Sequence, residues 1–236
     1  AEPVQSFSIQ GTLAAGMADE LGLTPGIPVS YRAGDQPNNA LSLNVLSPGE
    51  VATTAGTSGV IYGVTEETQF DPLSRINTFL HVTHSKKQPR LGVLLCINGT
   101  GILYSWLKKI SGSGITYPQM NEMSSAVNPG SDGLLVLPFG NGAERMLHNR
   151  DITASLRGLN FNIHGQGHLF RAAQESIAYS FRYGLEIMKE TGINPKVIRA
   201  GESNLFLSKV FRDVLSSLTS AVITLYNTDG SAGEAR

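Results

Sequence analysis

Val51-Ala52-Thr53-Thr54-Ala55-Gly56-Thr57-Ser58-Gly59-Val60-Ile61-Tyr62-Gly63-Val64 is the stretch whose reading decides the fold of this chain. Two β-branched runs, Val51 to Thr54 and Val60 to Val64, flank a glycine-bounded turn, which is the pattern of a β-hairpin. The glycines remove side chains from both shoulders of the turn. Backbone N–H groups and the hydroxyls of Thr57 and Ser58 are left facing outward. Such a turn is either an ordinary hairpin connection or an anion nest that holds a phosphate. These residues alone leave both readings open.

Upstream, Arg32-Ala33-Gly34-Asp35-Gln36-Pro37-Asn38-Asn39 sets a carboxylate on a glycine turn. Asp35 also admits two readings. It caps a helix that starts near Pro37, where Pro suits the first turn. Alternatively it is a catalytic carboxylate held at a strand-to-helix corner, the strand being Pro28 to Tyr31. Before it, Leu13, Met17 and Leu21 keep helical spacing, and that helix should stop at Gly22 and Pro25-Gly26.

Downstream, Leu91 to Ile97 predicts a third strand, continuous in apolar character and so buried on both faces. Cys96 lies inside it as a small buried hydrophobe rather than a reactive thiol. Gly99-Thr100-Gly101 then turns into a helix over 102–110. Residues 111–132 are polar and broken by Gly and Pro, which predicts a loop with one helical turn at 120–125. Leu134 to Leu137 reads as a strand. Leu169 should open a long helix with Ala173, Ile177, Phe181, Leu185 and Met188 on one face, closed by Gly192. Val197 to Ala200 is a strand running into Gly201-Glu202-Ser203-Asn204. The helix beyond places Leu207, Val210, Phe211, Val214, Leu215 and Leu218 on one face. Small and polar residues at that corner suit a nucleotide, and equally suit Ser203 as a plain N-cap. Ala221 to Leu225 is a last strand. His81 and His84 read as surface or turn residues. His164 and His168, four apart but separated by glycine, have no evident carboxylate or cysteine partner and predict no metal site.

At 236 residues the chain can bury a real core as one large or two smaller domains. The formal net charge is −1 and basic blocks are missing, which argues against a nucleic-acid partner. A single cysteine forms no internal disulfide. No apolar run approaches membrane-span length and no basic-apolar-small segment opens the chain, so the cytoplasm is the expected compartment and no membrane partner is expected. The chain begins at Ala1 rather than Met, and Asp229 to Arg236 resembles a helix barely begun. Both suggest a piece of a longer protein. Neither Gly-x-x-x-x-Gly-Lys-Ser/Thr nor Gly-x-Gly-x-x-Gly occurs, so any ATP is held by neither a P-loop nor a Rossmann fingerprint.

Taken together, these turns resemble the C-terminal half of the FGGY carbohydrate kinases, closest to the xylulose kinases within that family. Gly34-Asp35-Gln36 is similar to the family's Gly-Asp-Asn turn, whose Asp is the catalytic base, although Gln36 replaces the usual Asn. Gly56-Thr57-Ser58-Gly59 resembles its second phosphate hairpin. His168-Leu169-Phe170-Arg171-Ala172-Ala173-Gln174-Glu175 resembles the signature His-Leu-x-Arg-Ala-x-x-Glu. Gly201-Glu202-Ser203-Asn204 falls where the family has an adenosine turn, with Ala200 in place of its first Gly. Gly101 falls where a backbone contact to the nucleotide is expected.

The resemblance implies an α/β, ribonuclease H-like, actin-like ATPase domain over residues 46–236, with residues 1–45 closing an N-terminal sugar-binding domain. It implies ATP and Mg²⁺ as cofactors and a ketopentose, D-xylulose first, as phosphoryl acceptor. Asp35 would be the catalytic base and, with Gln36, a sugar contact. Gly56, Thr57, Ser58, Gly101, Gly201, Glu202 and Asn204 would hold ATP, and no metal ligand falls in this chain. The N-terminal half of the same protein and a second copy in a homodimer are the implied partners. Ribulose, rhamnulose, gluconate or glycerol are the alternative acceptors. A non-catalytic nucleotide-binding module is the alternative for this fragment alone.

Overall fold

The computed structural model describes residues 4–228 and 230–234. The opening Ala1 and part of the expected C-terminal helix start (Asp229, Ala235 and Arg236) therefore lie outside the described residues. The chain enters as an antiparallel ribbon of β1 (Phe7–Thr12) and β2 (Pro28–Tyr31), joined through the short helix α1 (Ala15–Leu21). As expected, α1 stops at Gly22, whose φ of 62° is left-handed and closes the helix with N–H bonds back into its last turn. Helix α2 (Asp35–Ser42) leads into the hairpin β3 (Val51–Ala55) and β4 (Gly59–Thr65), then β5 (Asn77–Leu80) and β6 (Leu91–Ile97). There follow α3 (Gly101–Ile110), α4 (Tyr117–Ser125), the ribbon β7 (Leu135–Leu137) and β8 (Ser155–Arg157), and the long helix α5 (Gln166–Lys189). The chain ends with β9 (Val197–Gly201), a 3₁₀ turn (Asn204–Leu207), α6 (Lys209–Thr219), β10 (Val222–Tyr226) and α7 (Gly230–Glu234).

Six strands form one mixed sheet in the order β10-β9-β3-β4-β6-β5. The run β3-β4-β6-β5 is antiparallel, and β9 and β10 join parallel on the β3 side. An antiparallel hairpin in a mixed sheet, extended by parallel strand–helix units, is the mixed α/β plan expected from the sequence.

The period-two alternation of the hairpin divides two cores. Val51, Ala55 and Ile61 face α5 and join the larger core with Phe170, Ala173, Ile177, Phe181, Leu185 and Met188 of that helix. Ala52, Tyr62 and Val64 face the other way and pack with Ala40 and Leu43 of α2. Helix α5 rides very close to the sheet. A Cβ on Gly63 would stand 3.1 Å from Met188 of that helix, and one on Gly184 would stand 2.9 Å from Leu95. The apolar stripe read from the sequence is the buried stripe observed.

Several expectations change. α4 is a full helix where a loop with one turn was expected. Thr116 caps it, accepting the Gln119 N–H at 3.4 Å while the Gln119 side chain accepts the Thr116 N–H at 2.8 Å. That Thr-x-x-Gln box was legible before Pro118. β1, β5 and β8 were not anticipated: β1 alternates Phe7 and Ile9 with Ser8 and Gln10 but is a strand of a small exposed ribbon, and β5 and β8 are only four and three residues long. α5 begins at Gln166 rather than Leu169, and α6 begins at Lys209, leaving Leu207 in the 3₁₀ turn with its side chain exposed. β6 is not buried on both faces, since Leu91, Leu94 and Cys96 remain half-buried.

His81 overturns its surface assignment. It is 1% exposed, and its Nδ1 lies 2.8 Å from the Tyr62 hydroxyl in the smaller core. Burial, helped by the Arg90 charge, pushes its pKa down to about 4. His84 does sit in a turn, where its Nδ1 accepts the Arg90 N–H at 3.2 Å. Because the folded His81 resists protonation, the unfolded chain binds the extra proton between pH 6.5 and 4. The stability from its neutral burial is complete above pH 6.5 and is lost as pH falls through that window. We expect the unfolding free energy of the wild type to fall by about 2 to 3 kcal/mol more than that of His81→Gln between pH 7.5 and 4.5. Denaturant titrations at the two pH values check this, and parallel pH profiles would refute it.

Candidate active site

The turn between β3 and β4 is held by a clamp from the β6–α3 corner. Ala55 pairs with Gly59, so Gly56, Thr57 and Ser58 form the turn itself. Its carbonyls point back into the protein. The Gly56 oxygen accepts from the Gly101 N–H at 2.8 Å and the Thr100 hydroxyl at 2.9 Å. The Thr57 oxygen lies 3.2 Å from the Ile102 N–H and 3.1 Å from the Thr100 hydroxyl. Gly101 and Ile102 thus spend the first amides of α3, which a helix leaves unpaired, on the turn. A trans peptide sets N–H opposite C=O. Inward carbonyls therefore aim the Thr57 and Ser58 N–H groups outward, and no described acceptor meets either of them. Both residues are exposed. Two adjacent unspent amides beside two hydroxyls make an anion-binding concavity.

Behind the turn opens a cavity of about 790 Å³. Gly56 and Thr57 close one end, and Gly101, Ile102, Tyr104 and Ser105 of α3 form one wall. Tyr117, Pro118 and Asn121 of α4 and Asn204, Leu205 and Leu207 of the 3₁₀ turn complete it. A mostly apolar lining with a few convergent polar groups, at this volume, suits a small ligand with a planar end and a polar end. Asn204 adopts φ 52° and brings its amide to 3.7 Å from where a Cβ of Gly56 would stand.

The residues singled out in the sequence separate here. Gly56, Thr57, Gly101 and Asn204 line the cavity, and Ser58 stands at the turn with its hydroxyl 3.5 Å from Asn98 Oδ1. The Gly101 N–H is spent on the hairpin, so this glycine faces a ligand only with its bare Cα. Gly201 and Glu202 stay out of the lining. A Cβ on Gly201 would meet the Thr228 carbonyl at 2.9 Å, and the Glu202 N–H donates to Tyr226 while its side chain is exposed. Tyr104, Ser105, Tyr117, Pro118, Asn121, Leu205 and Leu207 escaped sequence reasoning. The capping box ahead of Tyr117-Pro118 was the one available signal for them.

Asp35 is the first residue of α2, with Gly34 in the cap position, so the helix starts two residues before Pro37. The Asp35 carboxylate accepts the Gln36 N–H at 2.8 Å and the Gln36 side-chain amide at 3.2 Å. It is exposed, and a negative charge at a helix N-terminus is favourable. Gln36 keeps a buried Oε1 that no described group meets. The Cys96 thiol is raised first by burial, then by the charges of Glu144 and Asp35, with Arg145 opposing. Cys96 pairs with Val60, next to the β3–β4 turn.

The signature on α5 does structural work in this chain. Arg171 bonds Glu175 at 2.7 Å and the Val127 carbonyl at 3.1 Å, and Glu175 accepts the Gly130 N–H at 3.0 Å. His168 lies 3.1 Å from the Asp132 carboxylate, the partner that the sequence did not reveal. These bonds pin the turn between α4 and β7 to α5. No group of three His, Cys, Asp or Glu able to hold a metal ion occurs among the described residues. No helix among them is long and apolar enough to cross a membrane.

Comparison with known proteins agrees with this geometry. The C-terminal domain of the FGGY family of carbohydrate kinases matches residues 51–225. A gluconokinase of Bacillus subtilis is 29% identical over 212 residues, covering 86% of this chain and 40% of that protein. A xylulose kinase of the same organism is 27% identical over 234 residues, covering 97% of this chain and 45% of that protein. The crystal structure of xylulose kinase from Rhodospirillum rubrum superposes with a TM-score of 0.83 at 24% identity, over 98% of this chain and 46% of that one. The chain spans under half the length of the relatives it matches. The mixed sheet is that of the actin-like ATPase fold. By the domain that covers its hairpin, clamp and cavity, this chain belongs to the FGGY family of carbohydrate kinases.

Proposed function

We propose that this chain carries the nucleotide-binding domain and the catalytic base of an ATP-dependent sugar kinase. The whole protein would transfer the γ-phosphoryl group of ATP to a hydroxyl of a ketopentose, giving D-xylulose 5-phosphate from D-xylulose. Residues 46–236 form the nucleotide domain, and residues 1–45 close the sugar-binding half that the rest of the protein supplies. A cytoplasmic homodimer belongs to the same reading.

One observation carries it. The outward amides of Thr57 and Ser58 stand beside a cavity of nucleoside size that Thr57 itself lines. The cavity volume and its apolar walls fit an adenosine, and the unspent amides fit phosphate oxygens. Mg²⁺ would travel on the nucleotide's phosphates and neutralise their charge.

Phosphoryl transfer asks the protein for alignment and charge stabilisation more than for covalent chemistry. Thr57 and Ser58 would hold the oxygens of the transferred group through amides and hydroxyls already aimed at them. Asp35 would accept a hydrogen bond from the attacking sugar hydroxyl, hold it in line, and take its proton as the new P–O bond forms and the bond to ADP breaks. A sugar hydroxyl is a poor acid, so orientation comes first. Closure of the two halves would exclude water, the competing acceptor. The chain alone, lacking half the cleft, would bind nucleotide and phosphorylate nothing.

The gluconokinase relative favours a second acceptor class, an aldonate. Coupled ADP release from the complete protein with ATP, Mg²⁺ and a panel of sugars, polyols and gluconate tests the proposal. Turnover on D-xylulose alone supports it. Turnover on gluconate replaces the substrate and keeps the mechanism. No turnover on any acceptor, with nucleotide still bound, leaves only a binding module. In the same assay Thr57→Val, which removes a hydroxyl and keeps the shape, should lower kcat about tenfold. An unchanged kcat would return the turn to an ordinary hairpin.

A further inference from the structure

One wall of the cavity carries a hydrogen-bond polarity that the core fixes. Gln174, on α5, is fully buried and its amide is the hub of a polar network beneath the cavity. Ser124 sets the first orientation, because its hydroxyl donates to the backbone carbonyl of Asn121 at 2.8 Å. Its oxygen is then left to accept, so the Gln174 atom 3.0 Å away must be the donor Nε2. The other end, Oε1, accepts from the Ser208 hydroxyl at 2.5 Å. Nε2 also donates to the Tyr104 hydroxyl oxygen at 2.8 Å. Tyr104, having accepted, gives its own proton to Asn121 Oδ1 at 2.9 Å, and Nε2 lies 3.4 Å from the same oxygen.

The Asn121 side-chain oxygen, Oδ1, is therefore fully engaged by the core. Its Nδ2 is the remaining polar end, no described group accepts from it, and Asn121 lines the cavity. A side-chain amide on a surface would flip to suit either a donor or an acceptor. Here a flip would set two donors against each other at Gln174 and leave the Tyr104 proton without an acceptor, which costs the desolvation of buried polar groups.

We infer that Asn121 is a specificity-determining residue, a fixed donor that reads an unprotonated ring nitrogen of the nucleotide base, with Gln174 as the positioning residue that locks its polarity. This rests on the nucleotide reading of the cavity. The three acceptors of adenine (N1, N3 and N7) are the candidate atoms, whereas its exocyclic amino group would meet the Asn121 donor head-on. Ser208 joins the 3₁₀ turn to α6, so the same network braces both walls against which the base would lie.

The test is equilibrium binding to this chain of ADP and its 1-deaza, 3-deaza and 7-deaza analogues, each lacking one ring acceptor. One analogue should bind about tenfold more weakly than ADP, since it leaves the Asn121 donor unpaired. Asn121→Ala should bind ADP and that analogue equally. Gln174→Met, which keeps volume and removes the hub, should shrink the ratio, whereas a merely structural role would weaken all four ligands alike. Equal binding of all four ligands by the wild type, or a ratio that survives Asn121→Ala, overturns the inference while nucleotide binding stands. If the wild type binds none of the four, the nucleotide reading itself falls. Asn121 is partly exposed, so its variant should fold, and a thermal melt confirms that before binding is measured.

Discussion

If the complete protein phosphorylates a sugar as proposed, Asp35→Asn is expected to lower that activity by roughly 10² to 10⁴-fold, the range that removing a general base costs. Nucleotide affinity and melting temperature should stay close to those of the wild type. The geometry separates the two roles that the sequence left open. As a structural residue, Asp35 accepts the Gln36 N–H through Oδ1 at 2.8 Å, and Asn keeps an oxygen there for that bond. What Asn loses structurally is the exposed bond that the second oxygen accepts from the Gln36 side-chain amide at 3.2 Å, and a charge next to a helix N-terminus, worth only about 0.3 to 1 kcal/mol at an exposed site. What it loses chemically is the capacity to take a proton. Steady-state kinetics with the preferred sugar, paired with ADP binding, reads both. Near-normal turnover would reduce Asp35 to a first-turn helix residue. A fall in kcat with ADP binding intact would make it the base.

The main architecture was legible because it depends on patterns that burial enforces. The hairpin runs from Val51 to Val64 alternate between two cores, and a one-residue slip would expose both sets. The α5 stripe survives for the same reason, as its spacing must match a helix packed along its whole length on the sheet. The edge pieces were not legible. β5 is a short edge strand of the main sheet and β8 half of a short ribbon, where few side chains are committed to either face, so the sequence carries little alternation to read. His81 shows another limit. Between Leu80 and Val82 it looks like a turn residue, and only the approach of Tyr62 from a strand distant in sequence gives it a buried partner.

The site was half legible. Thr57, Ser58, Gly101 and Asn204 lie on turns whose glycines and hydroxyls announce backbone exposure. The cavity's far wall comes from α4, whose Tyr117 and Asn121 acquire meaning only when Tyr104 and Gln174 arrive from two other helices. Gly201 and Glu202 have the right local chemistry and stand just outside the lining. A glycine in such a corner serves strand packing as readily as it serves a ligand, and sequence alone does not separate the two uses.

Gly101 is the sharpest case of a small residue with a large expected effect. A Cβ there would stand 2.3 Å from the Gly56 carbonyl oxygen and 2.8 Å from its carbon, both backbone atoms of the phosphate turn. No side-chain rotation relieves that overlap, so Gly101→Ala must push the turn away from α3 or tilt the helix. Either movement lengthens the bond from the Gly101 N–H to Gly56 and loosens the pair that Thr100 makes to Gly56 and Thr57. The Thr57 and Ser58 amides would then turn away from the phosphate by an amount on the order of 1 Å, a displacement that costs about 100-fold in rate. The fold should lose only about 1 to 3 kcal/mol, the usual range for overpacking. Thr100→Val tests the same clamp from its other side, because it removes both hydroxyl bonds and adds no bulk at Gly56. We expect Gly101→Ala to lose turnover far beyond its loss of stability, and Thr100→Val to follow in the same direction with a smaller drop. Normal kcat in Gly101→Ala, with a melting temperature lowered by the overlap, would mean that the hairpin yields without consequence for the chemistry. The transferring phosphate would then have to be held elsewhere in the cleft, and the clamp would be scaffold.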